Sequence, residues 1–406
     1  MADSDKYVSK YTGEQIEAKL DSVGMHENRI QTLENKSAVY GLSSTLVGSS
    51  TSATSRWLRF DPQNKKGLII TAGTSITLAN GEQAVYEEST PIDLSSMITQ
   101  EGTDYFVYID NEKNITASAT KQLASDKVQI GRFHTLCVSV GDNVTMIAPA
   151  SSHSDYAVNY TYLVKPYRAY EDPDFYAFYN KIITAVEVGS PYDVITCEHP
   201  LSGFEAGDIL PESVFCLNWN PDCLIEDAMV YDRATDICVD IYLQSGTGEK
   251  TTSKYNVAHT VSRQPINHLA DFLQVGKKML TDVEFTSIAL GSNECTSIIN
   301  AADATTVGGH SDTNGRRMIS AIGCEECCGY LWQWLDEIGP NGTTNWRTTD
   351  GKRSFGQEYG EPNVVSAGGD WGSASSCGSR SRASDLSRSD VAGSIGSRGS
   401  SRINKK

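Results

Sequence analysis

The rhythm of hydrophobic positions changes along the chain. Between Tyr11 and Lys36 they recur at Ile16, Leu20, Val23, Ile30 and Leu33, at spacings of four, three, seven and three. That is one apolar stripe on a helix with polar residues around it. Glu27 and Glu34 interrupt a clean heptad, so residues 1–36 fit either a small parallel bundle used for trimerisation or attachment, or a lone amphipathic helix packed on the next domain. From 37 to about 150 the pattern turns to short β-rich runs, among them Arg56 to Phe60, Gly67 to Ala72, Tyr105 to Asp110 and Cys137 to Val140. Turn signals at Asp61-Pro62, Asn80-Gly81 and Asp110-Asn111 separate them, which predicts a sandwich or prism domain. Residues 151–194 are rich in tyrosine, from Tyr156 to Tyr179. A semi-exposed bridge between domains or subunits is expected there, with an aromatic carbohydrate platform as the alternative.

From 195 to 406 strands and helices mix. Phe215 to Trp219, Ala228 to Tyr231 and Ile237 to Leu243 read as strands. Ile266 to Leu280 reads as a helix, and Thr281-Asp-Val-Glu284 is a capping box that opens a second helix ending near Gly291. Two helices among short strands predict an α+β domain. Its tail, 368–399, is nearly all small or polar, which by composition is a flexible linker. Three marks argue for order instead: Gly368-Gly369-Asp370-Trp371, Gly378-Ser379-Arg380-Ser381-Arg382 and Ile395-Gly396-Ser397-Arg398-Gly399. Gly-Gly before Trp implies a close backbone approach beside a large anchor. Arg380, Arg382 and Arg398 can each tie a loop down through several carbonyls or carboxylates.

The 406 residues are 39% hydrophobic and 21% charged, as in globular chains. A net charge of −17 disfavours nucleic acid and anionic membranes as partners. The N-terminal stretch has no apolar signal region, and no run is long enough to span a bilayer, so a product made in a cytoplasm is expected. In that setting the ten cysteines are expected to be buried thiols.

Candidate chemistry is sparse. Cys324-Glu-Glu-Cys327-Cys328 contains half of a zinc motif, but Cys295 and Cys377 stand alone in sequence and supply no second half. Glu361-Pro362-Asn363 offers hard oxygens of the kind calcium takes, or a loop turn. His310 with Asp312 lacks a nucleophile and an oxyanion loop. No catalytic site, metal or cofactor is therefore expected.

The ordered series Gly329-Tyr-Leu-Trp332-Gln-Trp334, Gly368-Gly369-Asp-Trp371, Gly378-Ser-Arg380-Ser-Arg382 and Ile395-Gly-Ser-Arg398-Gly resembles the C-type-lectin fold. That fold is shared by formylglycine-generating enzymes and by the variable proteins of diversity-generating retroelements. Leu201 to Pro211, Gly276 to Thr281 and Gly308 to Met318 extend the likeness over roughly 200–399. It is strongest to the trimeric phage tail-fibre receptor-binding members.

The resemblance implies a C-terminal C-type-lectin-like domain whose region 368–399 is diversified by a reverse transcriptase acting on adenines of a template. It implies a homotrimer in the virion tail fibre, assembled in the host cytoplasm. Such a trimer would join other tail proteins through its N-terminus and bind a bacterial surface receptor, protein or glycan. Carried across position by position, the variable residues are Asp370, Gly372, Ala374, Ser376, Ala383, Asp385, Leu386, Asp390, Ala392 and Ser394, expected on one exposed patch. Trp371, Arg380, Arg382, Ile395 and Arg398 would be scaffold. The family carries an aromatic after the position matching Ala383, whereas Ser384 stands here. The alternatives are a formylglycine-generating-enzyme-like oxidase, for which Cys377 lacks a partner in sequence, and a diversified cellular surface protein.

Overall fold

The structure is a computed structural model that describes residues 56–122, 124–141, 199–300, 305–339 and 363–405, together with the backbone of six further strands. The helix expected within 1–36 and the tyrosine side chains of 151–194 lie outside the described residues.

In chain order the strands are β1 (Leu58–Phe60), β2 (Gly67–Ile70), β3 (Thr74–Thr77), β4 (Gln83–Tyr86), β5 (Thr90–Asp93), β6 (Asp104–Asp110), β7 (Ile115–Ser118), β8 (Lys127–His134), β9 (Val144–Pro149), β10 (Thr161–Tyr162), β11 (Lys181–Glu187) and β12 (Tyr192–Cys197). There follow β13 (Phe215–Cys216), β14 (Trp219–Pro221), β15 (Met229–Asp232), β16 (Ile237–Asp240), β17 (Lys278–Met279), β18 (Trp332–Gly339), β19 (Trp346–Thr348), β20 (Gln357–Tyr359), β21 (Asn363–Gly368), β22 (Gly378–Ser387), β23 (Ile395–Ser397) and β24 (Gly399–Lys405). Two α-helices, α1 (Pro265–Gln274) and α2 (Asp282–Ile288), and three short 3-10 helices (Pro211–Ser213, Gly248–Lys250 and Ala374–Ser376) complete the regular elements among the described residues, which are mostly β. No helix among those residues is long and apolar enough to cross a membrane.

The largest sheet has nine strands, in the order β15-β16-β24-β14-β13-β8-β6-β7, with β17 also pairing β24. It runs across the compositional boundary near 150–195. β8 pairs β13 through Phe215–Arg132 and Cys216–Gly131, which joins the early β-rich region to the late one. One core likewise draws Leu68, Val107 and Phe133 together with Phe215, Trp219 and Met229. β6 shows why: Tyr105 to Ile109 are all buried, because this apolar run is covered on both faces. A second core gathers the late residues, including Ile241, Phe285, Leu331 and the three clustered cysteines.

The capping box forms as its spacing predicts. Thr281 Oγ1 accepts from the Glu284 N–H, and a Glu284 carboxylate oxygen accepts from the Thr281 N–H at 2.9 Å. The first helix is shorter than its apolar spacing predicts, ending at Gln274. Gly276 adopts φ +72°, a conformation that ends a helix, and a Cβ there would sit 3.2 Å from the Leu224 backbone nitrogen. Lys277 is then buried between Asp227 (2.7 Å) and Asp240 (2.5 Å), and Lys278–Met279 joins β24 as strand.

Arg398, 1% exposed, lies where β23 passes into β24. Its guanidinium donates to the carbonyls of Asp240 (2.7 Å), Ile241 and Glu325, and to Gln333 Oε1 (3.2 Å). Gln333 in turn donates to the carbonyls of Glu326 and Cys327 at 3.2 and 3.0 Å. One planar cation thus satisfies two separate stretches of backbone and fixes the Gln333 side chain that binds the next two carbonyls.

Arg398→Met is expected to lower unfolding free energy by about 3–5 kcal/mol, because buried acceptors lose their donor. Arg402→Ala, at an exposed position of β24, is expected to stay within about 0.5 kcal/mol; denaturant titration compares the two.

His268 provides a pH test. Burial, with the nearby Arg263, holds its imidazole down at about 4, and its Nδ1 lies 2.5 Å from Gln244 Oε1. The unfolded imidazole binds a proton below about 6.5 while the folded one stays neutral. Stability should therefore fall as pH drops from about 6.5 toward about 4, by up to about 3 kcal/mol. His268→Gln should flatten that part of the stability–pH curve.

Candidate functional site

The site is built on the four-stranded sheet β22-β21-β18-β23. β18 pairs β23 in parallel (Trp332–Ile395 to Trp334–Ser397) and β21 antiparallel, while β22 forms the outer edge on β21. At the end of β21 the chain turns sharply. Gly368 has φ +93°, and a Cβ there would lie 2.3 Å from the Cys327 carbonyl oxygen. Gly369 has φ +84°, and a Cβ would lie 2.7 Å from Cys377 Cβ. This is the close approach that Gly-Gly before Trp implies. Trp371 then packs half-buried against the late core, its N–H donating to the Tyr330 carbonyl at 3.2 Å.

None of the ten positions carried across from the resemblance is buried. Gly372, Ala374, Ser376 and Asp385 are exposed, and the other six are half-buried. They fall in three successive pieces: the turn 370–376, strand β22, and the return loop 388–394 before β23.

The ten are not all free projections. Asp370 Oδ1 accepts from the Gly372 N–H (3.1 Å) and the Ser373 hydroxyl (2.8 Å), closing its own turn. Asp390 Oδ2 accepts from the Ser387 N–H at 2.7 Å and does the same for the return loop. Leu386 and Ala392 lean on a small cluster made by Phe272, Met279, Trp334, Val364 and Ile395. Ala374 has φ +44°, a region that costs an alanine but suits glycine or asparagine.

Two register shifts interrupt β21–β22. One leaves Ser384 and Asp385 between the pairs Val364–Leu386 and Ser366–Ala383; the other lets 379–381 loop out between Ala367–Arg382 and Gly368–Gly378. Bulges of this kind re-aim side chains, so adjacent Asp385 and Leu386 need not follow strict alternation. The Ser384 carbonyl is held by Asn363 Nδ2 at 2.5 Å.

The looped segment 379–381 rests on Glu294, which accepts from the Ser379 N–H (3.0 Å) and hydroxyl (2.5 Å). Burial pushes the Glu294 carboxyl up, while the Ser379 bonds and the cations of Arg380 and Arg316 oppose that shift. Arg382 reaches α2: it pairs with Asp282, donates to Thr286 Oγ1 at 2.6 Å, and stacks 5.0 Å from the Phe285 ring. It also donates to the carbonyls of Ser379 and Ser381 at 3.0 and 2.9 Å. Ile395 is buried at 2% and Arg398 at 1%. Arg380 differs from the other two arginines. It is exposed, and its charge acts on the buried Glu294 carboxylate from the solvent side.

Among the partners of these anchors, Asp282 lies inside the capping box and Gln333 inside the Trp332-Gln-Trp334 run, whereas Glu294 and Thr286 carry no signal in the sequence. Glu325 pairs with Arg317 at 2.5 Å, and Glu326 takes the Gly308 N–H at 2.8 Å and faces His310 Nδ1.

The other chemical candidates resolve as framework. Cys324, Cys327 and Cys328 are fully buried, and burial pushes the thiols of Cys324 and Cys328 well above the ordinary range. Among the described residues no group of three or more His, Cys, Asp or Glu side chains is arranged to hold a metal ion. His310 stacks on Tyr330 at 5.0 Å, whereas Asp312 is bound by Arg316 and by Thr296 (2.6 Å), so each is engaged elsewhere. Glu361, Pro362 and the side chains of Trp346 and Tyr359 lie outside the described residues.

A mixed sheet carrying a long tail, pinned under two helices and fused to a nine-stranded sheet, is a C-type-lectin-like architecture joined to β-rich partner structure. Nine chains of solved structures match it. They include the Major Tropism Determinant I1 variant (TM-score 0.62, 20% identity, 90% of this chain and 89% of that chain). The U1 variant matches at TM-score 0.61 and 20% identity over 88% and 86%. The M1 variant matches at 0.61 and 21% over 90% and 88%. No protein-family model and no curated protein sequence matches. At this identity the likeness is one of fold.

Gly368→Ala is expected to cost more than about 2 kcal/mol, from its left-handed backbone and the clash with the Cys327 carbonyl. Gly372→Ala and Asp385→Ala should stay within about 0.5 kcal/mol by thermal or denaturant unfolding. Ala374→Gly should be neutral or stabilising by up to about 1 kcal/mol.

Proposed function

We propose that this chain is a phage receptor-binding protein that displays a diversified patch on a C-type-lectin-like scaffold. The observation that carries the reading is a division within 368–399. The ten candidate variable residues are all reachable from solvent, while the scaffold residues Arg382, Ile395 and Arg398 are directed into the fold. The matched structures are variants of a tropism determinant, which fits a scaffold that tolerates changes in its display residues.

On this reading the patch comprises Asp370, Gly372, Ala374, Ser376, Ala383, Asp385, Leu386, Asp390, Ala392 and Ser394, with exposed Arg380 beside them. Its partner is a bacterial surface receptor. The protein works as a homotrimer at the tip of a virion tail fibre, joined to other tail proteins through its N-terminal segment. Small side chains bury little area each, so one site binds weakly. Three tips acting together raise the avidity without new contacts. An oxidase on the same fold would need accessible, activated thiols, and the burial of Cys324, Cys327 and Cys328 counts against that use of the cysteine cluster.

Simultaneous replacement of five or more of the ten positions tests the reading. Unfolding temperature should move by no more than about 4 °C, while adsorption to a panel of bacterial strains changes by tenfold or more. Loss of folding, or unchanged adsorption, would overturn it. A near-copy of the codons for 368–398 beside a reverse-transcriptase gene, differing only at adenines, is expected in the flanking DNA.

A further inference from the structure

Two cysteines with no partner in sequence meet beneath the turn 370–376. The Cys295 N–H donates to the Cys377 carbonyl at 3.0 Å. Covalent bond lengths hold the Cα atoms on either side of one such bond within about 7 Å of each other, the upper limit at which a disulfide can form. Cys377 Sγ donates to the carbonyl of Thr296 at 2.7 Å, so its thiol is aimed at the segment that carries Cys295. Gly369 packs close against Cys377, where a Cβ would lie 2.7 Å from Cys377 Cβ.

The two thiols differ in access. Cys295 is half-buried, at φ +56°, and Cys377 is 2% exposed. Burial pushes the Cys377 thiol up to about 12, with Glu294 and Cys295 adding to the shift. Burial and Glu294 also raise Cys295, and Arg316 opposes them.

We propose that Cys295 and Cys377 are a latent disulfide site, closed by exchange with a small-molecule disulfide once the protein leaves a reducing compartment. Cys295 reacts first. After losing its proton, its sulfur attacks one sulfur of oxidised glutathione, whose S–S bond breaks, and one glutathione leaves as a thiolate that takes up a proton. Cys377 then loses its proton, rotates off the Thr296 carbonyl and attacks Cys295 Sγ. The bond from Cys295 to glutathione breaks and the second glutathione leaves as a thiol. Two protein thiols are oxidised to one disulfide, and one glutathione disulfide is reduced to two thiols.

Given the display reading above, the bond staples the turn bearing Asp370, Gly372, Ala374 and Ser376 to the segment 292–297 at its base. The turn then enters binding with less freedom to lose. Cys324, Cys327 and Cys328, enclosed in the core, are not reached by the exchange.

The test uses the full chain, purified with reductant, desalted, and exposed to oxidised glutathione at about pH 8, near the ordinary thiol pKa. Peptide mapping without reduction should yield a 295–377 linked peptide, two hydrogens lighter than its parts, that disappears on reduction. Brief alkylation before oxidation should label Cys295 ahead of Cys377. Cys295→Ser should abolish the link without creating another. Glutathione lodged permanently on Cys295, a link joining other cysteines, or no link at all would each overturn the proposal. The map of the unmutated chain stands even where a variant folds poorly, and it involves no receptor. Its failure is therefore distinct from failure of the binding reading, which the adsorption panel decides.

Discussion

The fold depends on one buried guanidinium. Arg398 sits between the small sheet that carries 378–397 and the large sheet, and it binds the carbonyls of Asp240 on β16 and of Glu325 directly and, through the Gln333 side chain, those of Glu326 and Cys327. A buried cation needs both hydrogen-bond acceptors and nearby negative charge. The carbonyls supply the first. The neighbouring Lys277–Asp227–Asp240 group brings two carboxylates for its one ammonium, so the local charge balances around Arg398. A lysine cannot reproduce this fork, since its point charge lacks the planar, divergent donors.

This inward bonding explains how a stretch of serine, glycine and alanine stays ordered. Each segment is tied at its base to a residue outside the stretch: 379–381 to Glu294, β22 to α2 through Arg382, and the Gly-Gly turn to Gly329 and Tyr330. The outward side chains are then spared from holding the fold. Where they do hold something, as Asp370 and Asp390 do, the bonds are local to their own turns. Changing such a residue alters one turn and leaves the sheet in place. Leu386 and Ala392 are the exceptions, since they touch a small apolar cluster, and variation there is coupled to packing.

Much was legible in the sequence because it depends on local chemistry. The capping box at Thr281–Glu284 is a matter of spacing within one turn. The Gly368-Gly369 approach follows from the two residues that alone permit it, and the continuous apolar run of β6 announces a strand covered on both faces. The length of α1 was not legible, since the apolar spacing runs on to Leu280 while Gly276 and the burial of Lys277 stop the helix. The equivalence of Arg380, Arg382 and Arg398 was misleading for a similar reason. The three arginines look alike in sequence, but Arg380 falls in the looped-out 379–381, Arg382 pairs opposite Ala367 beside α2, and Arg398 lies buried where β23 passes into β24.

By itself, then, the sequence determined where the chain is forced to turn, which runs must be buried, and that a tail of small residues carries fixed marks. Tertiary structure alone decided the pairings between distant residues. It brought Glu294 under Ser379, set Arg382 against α2, placed Cys295 beside Cys377, and carried one sheet across the compositional boundary from β8 to β13. The physical reason is that turns and caps are set by torsional and hydrogen-bonding preferences of a few neighbouring residues. Buried charges and edge strands find partners only where the packed chain happens to bring a complementary group within bonding distance.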